Sequence, residues 1–287
     1  MFARNLYGDC LDVLRDEPDN SFQLICTSPP YADARKKTYG GVPPDKYVEW
    51  FLPRAAEFKR VLHPEGTFIL NIKEGVVDGE RHEYVMDLVR ALRKQGWLWT
   101  EEWMWHKTTS APGKWPNRFR DAWEHVHQFN KQRKFNMYQD TVKVPIGDWA
   151  EKRLASLNEN EKARRKSVTG SGVGTNLSHW TDRDMVYPDN VLHLPVVCTD
   201  LGHSAVYPES LPEFFIKLFT KVEDTVLDPF AGSGTTGVAA IHLRRNYMGI
   251  DILEKNVDVA KNRLPGVPHM TLEEVEQWDE GDSLKES

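Results

Sequence analysis

The strongest restriction on the fold comes from two consecutive stretches, "TVLDPFAGSGTTGVAAIHLRR" and "YMGIDILEKNVDVAKNRL", residues 225–264. Each opens with a short apolar run that passes directly into a helical pattern, the signature of a strand buried on both faces of a parallel sheet. Two such strands cannot make a covered sheet, so distant segments must complete it. Candidates stand near the other end of the chain: "FQLIC" (Phe22–Cys26) and "GTFILNI", which follows His63-Pro64-Glu65-Gly66. Between them "YVEWFLPRAAEFKRVL" has helical spacing with a proline inside it, and "EYVMDLVRALRKQG" is an amphipathic helix closed by Gly96. "LPEFFIKLFT" adds a further helix. The expectation is an α/β fold, a mostly parallel sheet with helices on both faces and no internal repeat.

In such sheets ligands gather at the carboxyl ends of the strands. Two strand ends carry unusual chemistry. After "LIC" comes Thr27-Ser28-Pro29-Pro30-Tyr31, where the proline pair removes two donors and ends the ladder in a rigid elbow. After "TVL" comes Asp228-Pro229-Phe230-Ala231-Gly232-Ser233-Gly234-Thr235-Thr236, with glycines placed for a tight turn and close approach of a ligand. Asp251 ends the next strand about 20 residues on, the spacing at which a carboxylate can hold ribose hydroxyls. Spacing alone leaves a dinucleotide and S-adenosylmethionine both open. A phosphate site usually brings a third glycine or a lysine. This loop has neither, and Asp228 at its mouth suits a cationic ligand. The two strand ends lie about 200 residues apart, yet belong on one rim.

Composition narrows the setting. No run of about 18 apolar residues appears, so no membrane partner is expected. The opening "MFARNLYGDC" lacks a secretory core, which predicts a cytoplasmic protein. Cys10, Cys26 and Cys198 are odd in number and unpaired in spacing, against disulfides and a zinc site. The net charge is −6, but unevenly spread. Trp103–Met185 holds 15 Lys and Arg against 9 Asp and Glu, leaving 22 against 34 elsewhere. A basic middle on an acidic body can present one face to a polyanion.

"TSPPY", "DPFAGSGTT" and "YMGIDI" together resemble the S-adenosylmethionine-dependent DNA amino-methyltransferases. "EEWMWHKTTSAPGKWPNRFRDAWEHVHQFNK" resembles that family's block of a Trp-containing strand, a lysine, and then a glutamate with an aromatic. "GHSAVYPESLPEFFIKLF" resembles the segment that precedes the glycine loop and closes over the cofactor. The order, catalytic block first and cofactor block last, is that of the circularly permuted β group. The resemblance implies a Rossmann-like methyltransferase with S-adenosyl-L-methionine as cofactor and double-stranded DNA as partner. A cognate restriction endonuclease, and a monomeric or homodimeric state, belong to the same expectation. It divides the chain into a catalytic half (1–130), a target-recognition region (131–199), a cofactor-binding half (200–264) and an acidic tail (265–287).

The resemblance also gives the elbow a task. An exocyclic amino nitrogen is a poor nucleophile because its lone pair is delocalised into the base. Hydrogen-bond acceptors on both its N–H groups favour a geometry in which the lone pair is available. Ser28 supplies a hydroxyl oxygen and Pro29 a carbonyl. Pro30 helps fix the backbone in advance, and Tyr31 stacks on a base that has left the duplex. In the family, serine at the Ser28 position accompanies cytosine N4, and Asp or Asn accompanies adenine N6. Cytosine N4 is therefore expected, with adenine N6 as the alternative and a protein glutamine amide as a more distant one. Cytosine C5 chemistry needs a cysteine nucleophile behind a proline, and none of the three cysteines has that setting.

The cofactor contacts implied are Thr27, Ser204, Asp251 and the loop residues Asp228 to Thr236. Asp9 joins them as the acid aimed at the cofactor's adenine, or serves as a helix N-cap; His203 is a weaker candidate. Lys107, Arg164, Arg165 and Lys166 are the expected DNA contacts, and Lys73 could also meet phosphate. Trp97, Trp99, Trp103 and Trp105 share one face if their strand is continuous, and read as core. His125 and His127 share a strand face, but no carboxylate or cysteine stands at a useful spacing, so no metal is expected.

Overall fold

The computed structural model describes residues 1–33, 41–109, 116–147, 156, 184–196 and 207–268. In chain order the elements are β1 (Ala3–Tyr7), α1 (Cys10–Leu14), β2 (Phe22–Thr27), α2 (Pro44–Val61), β3 (Leu62–Ile72), β4 (Val76–Val77) and β5 (Glu80–Arg81). Then follow α3 (Tyr84–Lys94), β6 (Leu98–Lys107), β7 (Trp123–Asn130), a 3-10 turn (Gln139–Val142), β8 (Val144–Pro145), β9 (Met185–Val186) and β10 (Val191–Leu194). The chain closes with α4 (Ser210–Phe219), β11 (Thr225–Asp228), α5 (Thr235–His242), β12 (Asn246–Asp251) and α6 (Glu254–Asn262).

Eight strands form one sheet in the order β1-β12-β11-β2-β3-β7-β6-β10. All neighbours are parallel except β3/β7 and β6/β7, because β7 runs backwards. The C-terminal strands sit inside the sheet, flanked by β1 on one side and β2 on the other, as their apolar sequences require. α1, α2 and α3 pack together over one face, where Phe51, Phe58, Phe68, Tyr84, Trp97 and Phe129 are buried. α4 and α5 pack together, and Phe214 and Phe215 of α4 meet Trp103 edge-on. The described residues separate into two compact units, Met1–Tyr138 with Asn190–Ser287, and Gln139–Asp189. The larger holds the eight-stranded sheet; the described part of the smaller includes the β8–β9 pair.

Two strands depart from the sequence reading. β3 begins at Leu62, ahead of the expected "GTFILNI". Its pairing with β2 jumps from Phe22↔Leu62 to Leu24↔Thr67, so the His63–Gly66 segment bulges out of the ladder where Pro64 has no donor to give. In β6 the register slips between Trp99 and Glu101. A one-residue slip exchanges faces. Trp103 and Trp105 pair with Val126 and Glu124 on one face, while Trp99 pairs with Phe129 on the other. The four tryptophans therefore do not share a face, and Trp99 is 41% exposed while Trp97, Trp103 and Trp105 are buried.

Gly237 shows how closely α5 sits on the sheet. A Cβ there would stand 2.5 Å from the Tyr247 ring. In a free helix Gly→Ala is worth up to about 1 kcal/mol of stability, whereas overpacking costs about 1–3 kcal/mol. Gly237→Ala is expected to lower the thermal midpoint by several degrees; an unchanged or raised midpoint contradicts this packing.

Candidate active site

A cavity of about 350 Å³ opens at the carboxyl ends of β2, β11 and β12. Its wall takes residues from both punctuated strand ends, Ser28 to Tyr31 on one side and Pro229 to Ser233 on the other. These segments adjoin because β2 and β11 are parallel neighbours, paired Val226↔Leu24 and Leu227↔Ile25. One residue further, the Thr27 hydroxyl donates to Asp228 Oδ1 at 2.6 Å.

Asp228 is 1% exposed and its two oxygens are filled. Oδ1 also accepts from the Phe230 N–H at 3.1 Å, and Oδ2 accepts from Thr236 Oγ1 at 2.5 Å and the Tyr207 hydroxyl at 3.2 Å. Burial pushes its carboxyl above the ordinary value, and the surrounding donors pull it back. The carboxylate thus does not face a ligand at the loop's mouth. It ties four segments together from behind. Thr27 and Thr236, expected as cofactor contacts, belong to this support and do not line the cavity. Gly234 does not line it either: with φ +79° it turns the chain into α5, and a Cβ there would stand 2.7 Å from Ala260 Cβ.

The loop's ligand-facing part is Pro229 to Ser233 with Thr235. Gly232 has φ +53° and open space where a Cβ would point. Its N–H donates to Asp251 Oδ2 at 2.9 Å, while Asp251 Oδ1 accepts from the Leu253 N–H and Asn256. Three of a carboxylate's roughly four acceptor positions are filled, and Asp251 lines the cavity. Asp9 meets both of its expectations in part. Its Oδ1 caps α1 by accepting from the Leu11 N–H, its Oδ2 pairs with Arg54, and it lines the cavity. The Phe230 ring lies 5.8 Å from Trp50, and both rings line the same cavity as these two acids.

At the other end the elbow is held from both sides. The Tyr47 hydroxyl donates to the Pro30 carbonyl at 2.9 Å. The Tyr31 hydroxyl donates to Glu124 Oε2 at 2.6 Å, and Ser28 Oγ lies 3.4 Å from the Tyr31 oxygen. Burial first, then the Glu124 charge, keeps the phenol protonated well above its usual range. Glu124 also receives Asn71 Nδ2 at 2.9 Å and Lys107 Nζ at 2.5 Å. Lys107, expected as a DNA contact, therefore lines the cavity, with its ammonium 5.0 Å from the Trp105 ring. Lys73 is bound to Asp121 at 3.2 Å. Ser204, His203, Arg164, Arg165, Lys166 and Cys198 lie outside the described residues.

Sequence reasoning missed Glu124, Asn71 and Trp50. Asn71 gave a signal, a polar residue in the otherwise apolar "FILNI"; Glu124 stood unassigned beside Trp123 in the quoted block. The argument against carboxylate partners for His125 and His127 also fails in three dimensions, since β6 brings Glu102 opposite His127. Cys10 lines the cavity, but burial raises its pKa to about 12, so it stays a thiol and offers no thiolate nucleophile.

A sulfonium cofactor carrying a ribose and an adenine fits this donor set. Acidic acceptors and an aromatic wall are present, and the loop itself carries no lysine or arginine. The Type II methyltransferase M.PvuII of Proteus hauseri is 30% identical over 267 residues, covering 85% of this chain and 78% of that protein. The solved structure of PvuII DNA methyltransferase (cytosine-N4-specific) superposes with a TM-score of 0.70 at 25% identity, covering 92% of this chain and 86% of that one. The M1.HpyAVI–SAM complex shares the fold at a TM-score of 0.57 and 20% identity, over 91% of this chain and all of that one. The DNA methylase family model matches residues 22–262, and the chain belongs to that family.

Proposed function

We propose that the protein transfers a methyl group from S-adenosyl-L-methionine to the exocyclic N4 of a cytosine flipped out of double-stranded DNA. One observation carries this reading: the Ser28–Tyr31 elbow and the Pro229–Ser233 loop wall a single cavity in a DNA methylase. The similarity to a cytosine-N4-specific enzyme supports the choice of base.

S-adenosyl-L-methionine supplies, when bound, a methyl group on a positively charged sulfur. Asp251 and Asp9 hold its polar groups, with Phe230 as the apolar contact. The base enters at the other end, where Tyr31 stacks against it and Glu124 fixes the tyrosine from behind. Ser28 Oγ and the Pro29 carbonyl accept from the amino group, so its lone pair is turned to the methyl donor. Their geometry is set before reaction by the prolines and by Tyr47. Lys107 and Glu124 form a neutral pair, so this end of the cavity adds little net charge around a neutral base.

Residues 131–199, with Arg164, Arg165 and Lys166, are assigned to target recognition, supported by their basic charge and by the separate Gln139–Asp189 unit. Phosphate contacts there would set affinity, and base-edge contacts would set the site. The protein is placed in the cytoplasm, as a monomer or homodimer, beside a cognate restriction endonuclease. Among the described residues no helix is long and apolar enough to cross a membrane.

The reading is tested by transfer of labelled methyl to duplex DNA, with RNA and protein acceptors in parallel. Label is expected in DNA alone; label in protein overturns the substrate class. Ser28→Ala is expected to lower turnover by about 10²–10³-fold, by analogy with loss of one preorganised hydrogen bond, with cofactor affinity held within about twofold. Unchanged turnover would remove Ser28 from the clamp. Asp251→Ala should weaken cofactor binding by roughly 10–100-fold in calorimetry, the worth of a charged hydrogen bond and a loosened loop. An unaltered affinity would take Asp251 out of the site.

A further inference from the structure

On the face of β7 opposite Glu124 lies a second cluster of chemistry-bearing side chains, none of which lines the cavity. His125 and His127 alternate with Glu124 and Val126 and so point the same way. Their rings stack at 13° with centroids 5.2 Å apart. Antiparallel pairing sets Glu102 of β6 directly across from His127. One ligand atom from each of Glu102, His125 and His127 lies within 4.8 Å of the others.

We propose that Glu102, His125 and His127 form a binding site for a divalent transition-metal ion of the zinc type. Two independent observations carry it. First, His127 is 3% exposed and, among the described residues, neither ring nitrogen has a hydrogen-bond partner. A buried polar group left in this state costs about 1–3 kcal/mol, and a bond to a metal would satisfy one of the two nitrogens. The neighbours Trp99 and Phe129 offer ring contacts only. Second, His125 is already oriented as metal-bound histidines are. Its Nε2 faces Glu74 Oε1 at 2.7 Å, the outer carboxylate that fixes the tautomer, and its Nδ1 faces Glu102 Oε1 at 2.6 Å, where an ion would enter between them.

The donor set selects the ion. Two imidazoles and one carboxylate suit zinc, cobalt or nickel, whereas calcium and magnesium want oxygen alone. Bonds of about 2.0–2.2 Å set ligand atoms roughly 3.4 Å apart, so the 2.6 Å contact between His125 and Glu102 would open while the wider gaps in the cluster close. Glu102, with its side chain 36% exposed, has the freedom to move in this way. An ion here would cross-link β6 to β7 one residue from Glu124, stiffening the support of Tyr31 without touching either substrate.

The test uses the full chain, stripped with chelator, titrated with ZnCl2 in a calorimeter and with CoCl2 followed by visible absorption. The expected result is one ion per chain and a Co2+ spectrum of a four-coordinate site. Glu102→Gln and His127→Leu should each weaken Zn2+ binding by about 100-fold, and Glu74→Gln by about 10–100-fold, with affinity for S-adenosyl-L-methionine unchanged. Glu102 is partly exposed, so Glu102→Gln is expected to keep the wild-type melting point, and His127→Leu should match or exceed it. Absence of saturable binding overturns the proposal. Equal binding by wild type, Glu102→Gln and His127→Leu also overturns it, and assigns the ion to other histidines such as the exposed His106–His193 pair.

Discussion

A buried carboxylate holds the active site together. Asp228 sits at the end of β11, shut away from water, and receives hydrogen bonds from Thr27, Phe230, Thr236 and Tyr207. Those four donors lie on the elbow strand, the glycine loop, α5 and the segment leading to α4. A charge buried without partners would be prohibitive, and one partner alone would not offset its desolvation. With all acceptor positions filled, the carboxylate instead fixes where the elbow stands relative to the loop, 201 residues away along the chain. Removing any one donor leaves a buried acceptor position unfilled, so the register between the two halves of the site is strongly specified.

From that register the chemistry follows. The glycine-loop end offers Asp251, with one acceptor position unspent, and an aromatic wall; the elbow end offers acceptors on a backbone that prolines have stiffened. On the proposed reading the protein's contribution to methyl transfer is positional: two reactants meet in one cavity, and the amino group is turned by acceptors that need no rearrangement. Glu124 extends this support to Tyr31, and it does so while neutralising Lys107, so that a charge-poor space is left for the base.

Much of this was legible in the sequence, for reasons that differ by residue. Short apolar strands before Pro-Pro and before Gly-x-Gly mark strand ends by local sterics, and those ends fall where expected. What local pattern cannot carry is pairing. The slip at Trp99 that sends it to the other face of β6, the bulge of His63–Gly66, and the meeting of Glu102 with His127 are all properties of two strands at once. A linear string presents Asp228 as a ligand-facing acid, because nothing in it reveals that four donors converge behind the carboxylate. The same limit hid Glu124, whose partners Tyr31 and Asn71 lie 93 and 53 residues away.

The most direct measurement is to incubate the purified protein with unmethylated mixed-sequence DNA and S-adenosyl-L-methionine, digest to nucleosides, and identify the product by mass spectrometry. The account predicts N4-methylcytosine as the single methylated nucleoside. N6-methyladenine would contradict the assignment of the elbow to cytosine, and 5-methylcytosine would contradict the clamp itself, since that product requires a thiolate the cavity does not provide.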